Sequence, residues 1–165
     1  MAAAGDRRAF HQLVLCHEAR LRSFLGRVAG SAEGDELAQE ALLRAWQRAG
    51  DFRGEGSWFG WVAGIGWRLF LDRRRREVRR AGWLAGEYDA ADQTMPPESG
   101  AALDLARLFG QLGDAERAAM TLCLGHGHSH GEAAMIMGLP LGTVKSLVLR
   151  GRDKLQRLIA AGERA

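Results

Sequence analysis

Residues 129–158, SHGEAAMIMGLPLGTVKSLVLRGRDKLQRL, leave the backbone few choices. Ser129 followed three positions later by Glu132 has the form of a capping box, in which each side chain satisfies an N–H left open at a helix start. Ala133, Ile136 and Met137 then repeat at helical spacing. Gly138 can take the left-handed conformation that closes a helix, and Pro140 blocks continuation through the turn. A second helix is expected from Gly142 or Thr143, burying Val144, Val148 or Leu147, Leu155 and Leu158. Thr143, Lys145, Ser146, Arg150 and Arg152 then fall at its start and along its outer side. Small hydroxyls and cations placed there suit phosphates and base edges in a DNA major groove. The pattern predicts a DNA-binding helix-turn-helix. A plain αα-hairpin has the same apolar spacing, so the rest of the chain has to separate the two.

The remaining sequence reads as helix throughout, with three prolines and almost no β-branched runs. One helix is expected from about Asp6 to Ala29, with Phe10, Leu13, Val14, His17, Leu21, Phe24, Leu25 and Val28 on one stripe. A second, capped by Ser31, ends near Gly50 with Leu37, Ala41, Leu42, Ala45, Trp46 and Ala49 inward. A third, capped by Ser57, runs to about Arg80 with Trp58, Phe59, Val62, Ile65, Leu69 and Phe70 inward. Residues 86–102 are small, polar and acidic with a Pro-Pro pair, the composition of a flexible linker. Two further helices follow, about Ala101–Leu112 and Asp114–Leu124. The expected architecture is all-α: a domain over 1–82, a linker over 83–100 and a helix-turn-helix domain over 101–165.

Charge follows the same division. The first segment has 15 Arg against 10 acids, the linker four acids and no Lys or Arg, and the last segment 8 Lys or Arg against 6 acids. Two basic lobes flanking an acidic connector favour a nucleic-acid partner. Cys16 and Cys123 fall on apolar stripes without partner spacing and are expected as buried free thiols in a reducing cytosol. No apolar run approaches the ~20 residues of a membrane span, and the N-terminus lacks the apolar core of a secretory signal.

The third helix carries a second constellation. Trp58, Phe59, Trp61 and Trp67 crowd its first half, and DRRRREVRR (72–80) fills its second. Trp61 and Trp67 fall near the edge of the apolar stripe, where one or both would be partly exposed. Aromatics beside Arg73, Arg74, Arg75 and Arg76 suit stacking and phosphate contact with unpaired bases, each stack contributing about 1–3 kcal/mol. Arginines that only offset a helix dipole would be fewer. The turn 51–57, with Arg53, Gly54, Gly56 and Ser57, could receive an unpaired base or simply join two helices. The second helix presents Asp35, Glu36, Gln39, Glu40 and Arg44 outward, as a solvated face or as a docking surface. His126, His128 and His130 in GHGHSH have no adjacent carboxylate or thiolate ligands, so neither a metal nor another cofactor is expected. No nucleophile-base set or phosphate-binding glycine loop is present.

Together, DELAQEALLRAW (35–46), DFRGEGSWFGWVAGIGWRLFLDRRRR (51–76), LGDAERAAMTLCL (112–124) and GHSHGEAAMIMGLPLGTVKS (127–146) resemble a bacterial RNA polymerase sigma factor of the extracytoplasmic-function type, in the family's order. The resemblance implies a non-enzymatic promoter-specificity subunit of the cytoplasm, bound to core polymerase through the β′ clamp helices and the β flap, and regulated by an anti-sigma factor. By the same resemblance Asp35, Glu36, Gln39, Glu40, Arg44 and Trp46 would grip the clamp helices. Arg53, Ser57, Trp61, Trp67, Arg68 and Arg73–Arg76 would recognise and melt the minus-ten element. Thr143, Lys145, Ser146 and Arg150 would contact the minus-thirty-five element, and the linker would thread through the polymerase channels. The chain departs from the family's usual asparagine at Arg68, basic residue at Leu147 and polar residue at Leu149, and from its aromatic and acid at His130 and Gly131. Two other readings remain at this level: a stand-alone helix-turn-helix regulator, and a sigma-like mimic that sequesters an anti-sigma factor.

Overall fold

The computed structural model describes residues 6–85 and 107–162, so the expected linker beyond Ala85 and the start of the following helix lie outside the described residues. Among the described residues there are helices and no strand. Helix α1 (Arg7–Ala29) starts at Asp6, whose carboxylate accepts hydrogen bonds from the backbone N–H groups of Arg8 and Ala9, both at 3.0 Å. Helix α2 (Ser31–Gln47) follows at once. Gly30, not Ser31, is its cap residue, because the chain reverses there at φ 97° and Ser31 is already helical. The reversal lays α2 antiparallel on α1, where Gly34 meets the backbone of Leu25 and Gly26.

After a short 3₁₀ turn (Ala49–Asp51) and the 51–57 loop, α3 runs over Trp58–Ala85, five residues past the end that its sequence suggests. Leu21, Phe24, Leu25, Val28, Leu37, Ala41, Phe59, Val62, Ile65, Leu69 and Phe70 meet in the core, as their spacing predicts. Burial of each large side chain contributes about 1.5–3 kcal/mol. Trp46 is only half-buried, edge-on to Phe10 at 5.0 Å. Cys16 is exposed and Cys123 half-buried, so the expectation of two buried thiols holds for neither.

The second lobe comprises helical residues 107–110, α4 (Asp114–Met120) widening into a π-type turn at Thr121–Gly125, α5 (His130–Met137) and α6 (Leu141–Gly162). The capping box forms: Ser129 Oγ accepts from the Glu132 N–H at 3.2 Å, and a Glu132 carboxylate oxygen accepts from the Ser129 N–H at 2.8 Å. These hydrogen bonds hold the Glu132 carboxyl below the usual carboxylate range. Gly138 closes α5 in the left-handed conformation (φ 65°, ψ 35°), and α6 leaves at 107° to α5, within the range of helix-turn-helix units. Ser129→Ala is expected to destabilise the chain by about 1 kcal/mol, measured by urea denaturation. An unchanged midpoint would show that the box contributes nothing.

The lobes are not separate bodies. One apolar core runs through both. Ile136 of α5 sits over Gly60 and Gly64 of α3, close enough that a Cβ at Gly64 would lie 3.1 Å from the Ile136 carbonyl oxygen. Arg117 of α4 is 1% exposed and donates to the carbonyl of Val28 in α1 at 2.9 Å. No single described helix is long and apolar enough to cross a membrane.

Candidate nucleic-acid interface

Helix α6 divides along its length as an amphipathic recognition helix should. Val144, Leu147 and Val148 are buried, whereas Thr143, Lys145, Ser146, Arg150 and Arg152 are exposed. Burial of Leu147 explains why a cation is absent there: the position faces the core, where an unpaired charge is costly. Leu149, by contrast, is 60% exposed and places an apolar side chain among the polar ones. Ser146 donates its hydroxyl to the Gly142 carbonyl at 2.9 Å, and Arg150 lies 3.4 Å from the Glu116 carboxylate. The outer face therefore offers hydroxyls and cations at helical intervals.

The turn before α3 is exposed at Arg53 and Ser57, and the Ser57 hydroxyl accepts from the Gly60 N–H at 3.0 Å. Trp61 is half-buried beside Phe52 with ring centroids 5.3 Å apart. Trp67 is 2% exposed and stacks on Phe70 at 5.5 Å, so it offers no surface for a base in this conformation. Arg68 is exposed.

The arginine run behaves as two groups. Arg73 reaches back to α2, bonding Glu36 at 3.0 Å and Glu40 at 3.3 Å. Arg74 lies over the Phe70 ring at 5.0 Å, bonds Glu77 at 2.9 Å and approaches Asp114 of the second lobe at 3.6 Å. Arg75 and Arg76 are exposed, Arg75 with a 3.3 Å contact to Asp72. The structure thus joins residues expected on different surfaces: Arg73 from the nucleic-acid set meets Glu36 and Glu40 from the docking set.

On α2, Asp35, Glu36, Gln39 and Arg44 face solvent, and Glu40 and Trp46 are half-buried. Arg22 of α1 pairs with Asp35 at 2.8 Å and Arg44 with Glu40 at 2.7 Å. Leu43 is 57% exposed between them, an apolar point on an otherwise charged face. Its place outside the stripe of Leu37, Ala41 and Ala45 was the signal for it.

Comparison with known proteins gives the arrangement its context. The description "Sigma-70 region 2" matches residues 13–80, and "Sigma-70, region 4" matches residues 102–155. The ECF RNA polymerase sigma factor SigM of Mycobacterium tuberculosis is 35% identical over 94% of this chain and 80% of its own length. The chain belongs to the ECF RNA polymerase sigma factors. Another relative, the RNA polymerase sigma factor NccH of Alcaligenes xylosoxydans, is 33% identical to this sigma factor over 98% of the chain and 92% of its own. Two solved structures also resemble it. The sigma factor RpoE in complex with the anti-sigma factor NepR from Bartonella quintana has a TM-score of 0.79 at 26% identity, covering 93% of this chain and 98% of that one. CnrH in complex with the cytosolic domain of CnrY has a TM-score of 0.70 at 26% identity, covering 97% and 93%. Coverage of that extent includes both lobes of this sigma factor, not one alone.

Sequence reasoning missed the polar contacts between the lobes. Arg20 of α1 donates to the His126 carbonyl at 2.6 Å and contacts His128 Nε2 at 3.0 Å. The GHGHSH run signalled clustered imidazoles, but nothing local to it pointed toward α1.

Proposed function

We propose that this sigma factor directs core RNA polymerase to promoters and promotes initiation, acting through binding energy rather than catalysis and working in the cytoplasm. Residues 1–82 serve docking and the minus-ten element, and residues 101–165 serve the minus-thirty-five element, joined by a linker over 83–100. The observation that carries this reading is the pairing of a box-capped helix-turn-helix, exposed at Thr143, Lys145, Ser146 and Arg150, with the charged exposed face of α2 in one chain. Asp35, Gln39, Leu43 and Arg44 present the outer face of α2 to the clamp helices, with Trp46 at its edge. Arg53, Ser57, Trp61, Arg68, Arg75 and Arg76 are the accessible candidates for the minus-ten element. Because RpoE was solved in complex with the anti-sigma factor NepR, an anti-sigma factor is included among the partners of this chain.

Run-off transcription from genomic fragments with added core polymerase tests the reading. Initiation at defined sites is expected, and no initiation at any template would favour a mimic instead. Arg75→Ala with Arg76→Ala is expected to impair promoter opening more than polymerase binding, since Arg74 is already engaged by Phe70, Glu77 and Asp114. Equal loss in both assays would contradict that division. Lys145→Ala should weaken upstream-element binding across sequences and lower the salt slope by about 1.

A further inference from the structure

The contact between the lobes contains a polar cluster that promoter recognition does not use. It is built by the π-type turn at the end of α4. Backbone N–H groups of His126 and His128 bond back to the carbonyls of Thr121 and Leu122, both at 3.0 Å, and Gly127 between them sits at φ 70°. That geometry turns both imidazoles toward the first lobe. The His128 ring stacks on Phe59 of α3 at 5.4 Å with planes 10° apart, and the His126 ring lies 5.9 Å from Phe59 and 6.4 Å from Phe24. Arg20 covers the Phe59 ring at 4.3 Å while holding the His126 carbonyl and His128 Nε2.

A guanidinium can only donate, so His128 Nε2 must accept through its lone pair. The ring proton then belongs on Nδ1, which faces the Glu132 carboxylate at 3.9 Å. A doubly protonated His128 would lose its bond to Arg20 and set a second cation beside the first. His126 is under the same constraint by a different route. Its Nε2 is buried without a hydrogen-bond partner, so no acceptor waits for an added proton there. We infer that Arg20, His126 and His128 form a clasp that holds the two lobes together at neutral pH and releases them on acidification.

Most of the charged groups around the clasp oppose a further proton, and Glu132 alone favours one. From α1 it faces Arg20, Arg27 and His17, which itself lies against Trp58 and Phe59; from α3 it faces the uncharged Phe59 ring; and from α5 it faces Glu132, the sole anion of the set. Burial first, and Arg20 next, hold both imidazoles below the ordinary value of 6.5, His126 at about 4. Separated lobes would therefore bind these protons more tightly than closed ones. Closure is fully favoured above pH 6.5 and is lost as pH falls toward 4. Opening would also free the face of α3 that Ile136 covers and the Arg74 side chain that Asp114 engages. Any use of those freed surfaces in promoter binding rests on the sigma-factor reading, whereas the conformational change does not.

The test is an interlobe distance measurement on the full chain without polymerase. Spin labels at Gln47→Cys in α2 and Gln156→Cys in α6, in a Cys16→Ser/Cys123→Ser background, would be read by pulsed dipolar spectroscopy at pH 7.5 and pH 5, with far-ultraviolet circular dichroism in parallel. The open population is expected to rise about tenfold or more at pH 5 with helicity unchanged. His126→Phe with His128→Gln, which keeps an acceptor but cannot titrate, should stay closed at both pH values, and His128→Gln alone should move the midpoint to lower pH. Arg20→Met should open the chain already at pH 7.5. An unchanged distance in the parent chain at pH 5 would overturn the clasp. So would opening of the double variant at the parent midpoint, or helix loss in step with separation.

Discussion

Arg117→Ala is expected to destabilise this sigma factor by about 3–5 kcal/mol and to lower its melting temperature by roughly 10 °C. The guanidinium is 1% exposed and donates to four carbonyls: Phe109 at 3.0 Å, Val28 at 2.9 Å, Gly110 at 3.4 Å and Leu112 at 2.7 Å. Asp114 lies 3.7 Å away and supplies part of the countercharge. Alanine would leave those carbonyls facing one another around a void, with Asp114 losing one of its neighbouring cations while Arg74 stays at 3.6 Å. Because Val28 belongs to α1, the damage should reach the contact between lobes as well as the second lobe itself. Arg117→Lys keeps the charge but has one nitrogen in place of three, so an intermediate loss is expected. Chemical denaturation measures both. A loss below about 1 kcal/mol for alanine, the net worth of one ordinary hydrogen bond, would show that the buried cation is not what ties the loop to α1.

Gly34→Ala is expected to cost more than about 3 kcal/mol, at the upper end of overpacking effects. A Cβ at this position would fall inside the van der Waals envelopes of Gly26 Cα and N and lie 2.7 Å from the Leu25 carbonyl carbon. Those atoms are backbone, so no rotamer change relieves the overlap and α1 must move away from α2. That movement would disturb Phe24 and Leu25 beneath α3. Gly142→Ala provides the contrast. A Cβ there meets nothing within 4 Å, and the position is helical. Stabilisation of about 0.5–1 kcal/mol is expected from the smaller conformational freedom of the unfolded chain. Thermal denaturation of the two variants side by side checks the pair, and similar losses in both would refute the close-approach argument.

Local chemistry was readable from the residues, and distant encounters were not. Ser129, Glu132 and Gly138 specify a helix start and stop through bonds spanning three or four residues, and the capping box and left-handed turn form as their spacing predicts. The stripe on α3 likewise places Phe59, Val62, Ile65 and Phe70 inward. Periodicity cannot say what covers the edge of a stripe: of the two edge tryptophans, Trp61 stays partly exposed whereas Trp67 is buried against Phe70. Nor does a run of arginines disclose its partners. Arg73 and Arg74 are claimed by Glu36, Glu40, Glu77 and Asp114, the last 40 positions along the chain from Arg74, while Arg75 and Arg76 remain outside. Arg117 looks like one more surface cation in GDAERAAM, because its acceptors are backbone carbonyls that carry no sequence signal. The same holds for Arg20, whose partners His126 and His128 lie more than 100 residues away.

The bridging of Glu36 and Glu40 by Arg73, with Arg22 on Asp35 and Arg44 on Glu40, matches each of these three α2 carboxylates with a neighbouring guanidinium. Opposite charges at such separations cancel within a few ångströms, so an approaching protein meets almost no long-range field from this helix. Encounter rates at that face should then be governed by shape and by the apolar Leu43, and they should change little when counterions are added.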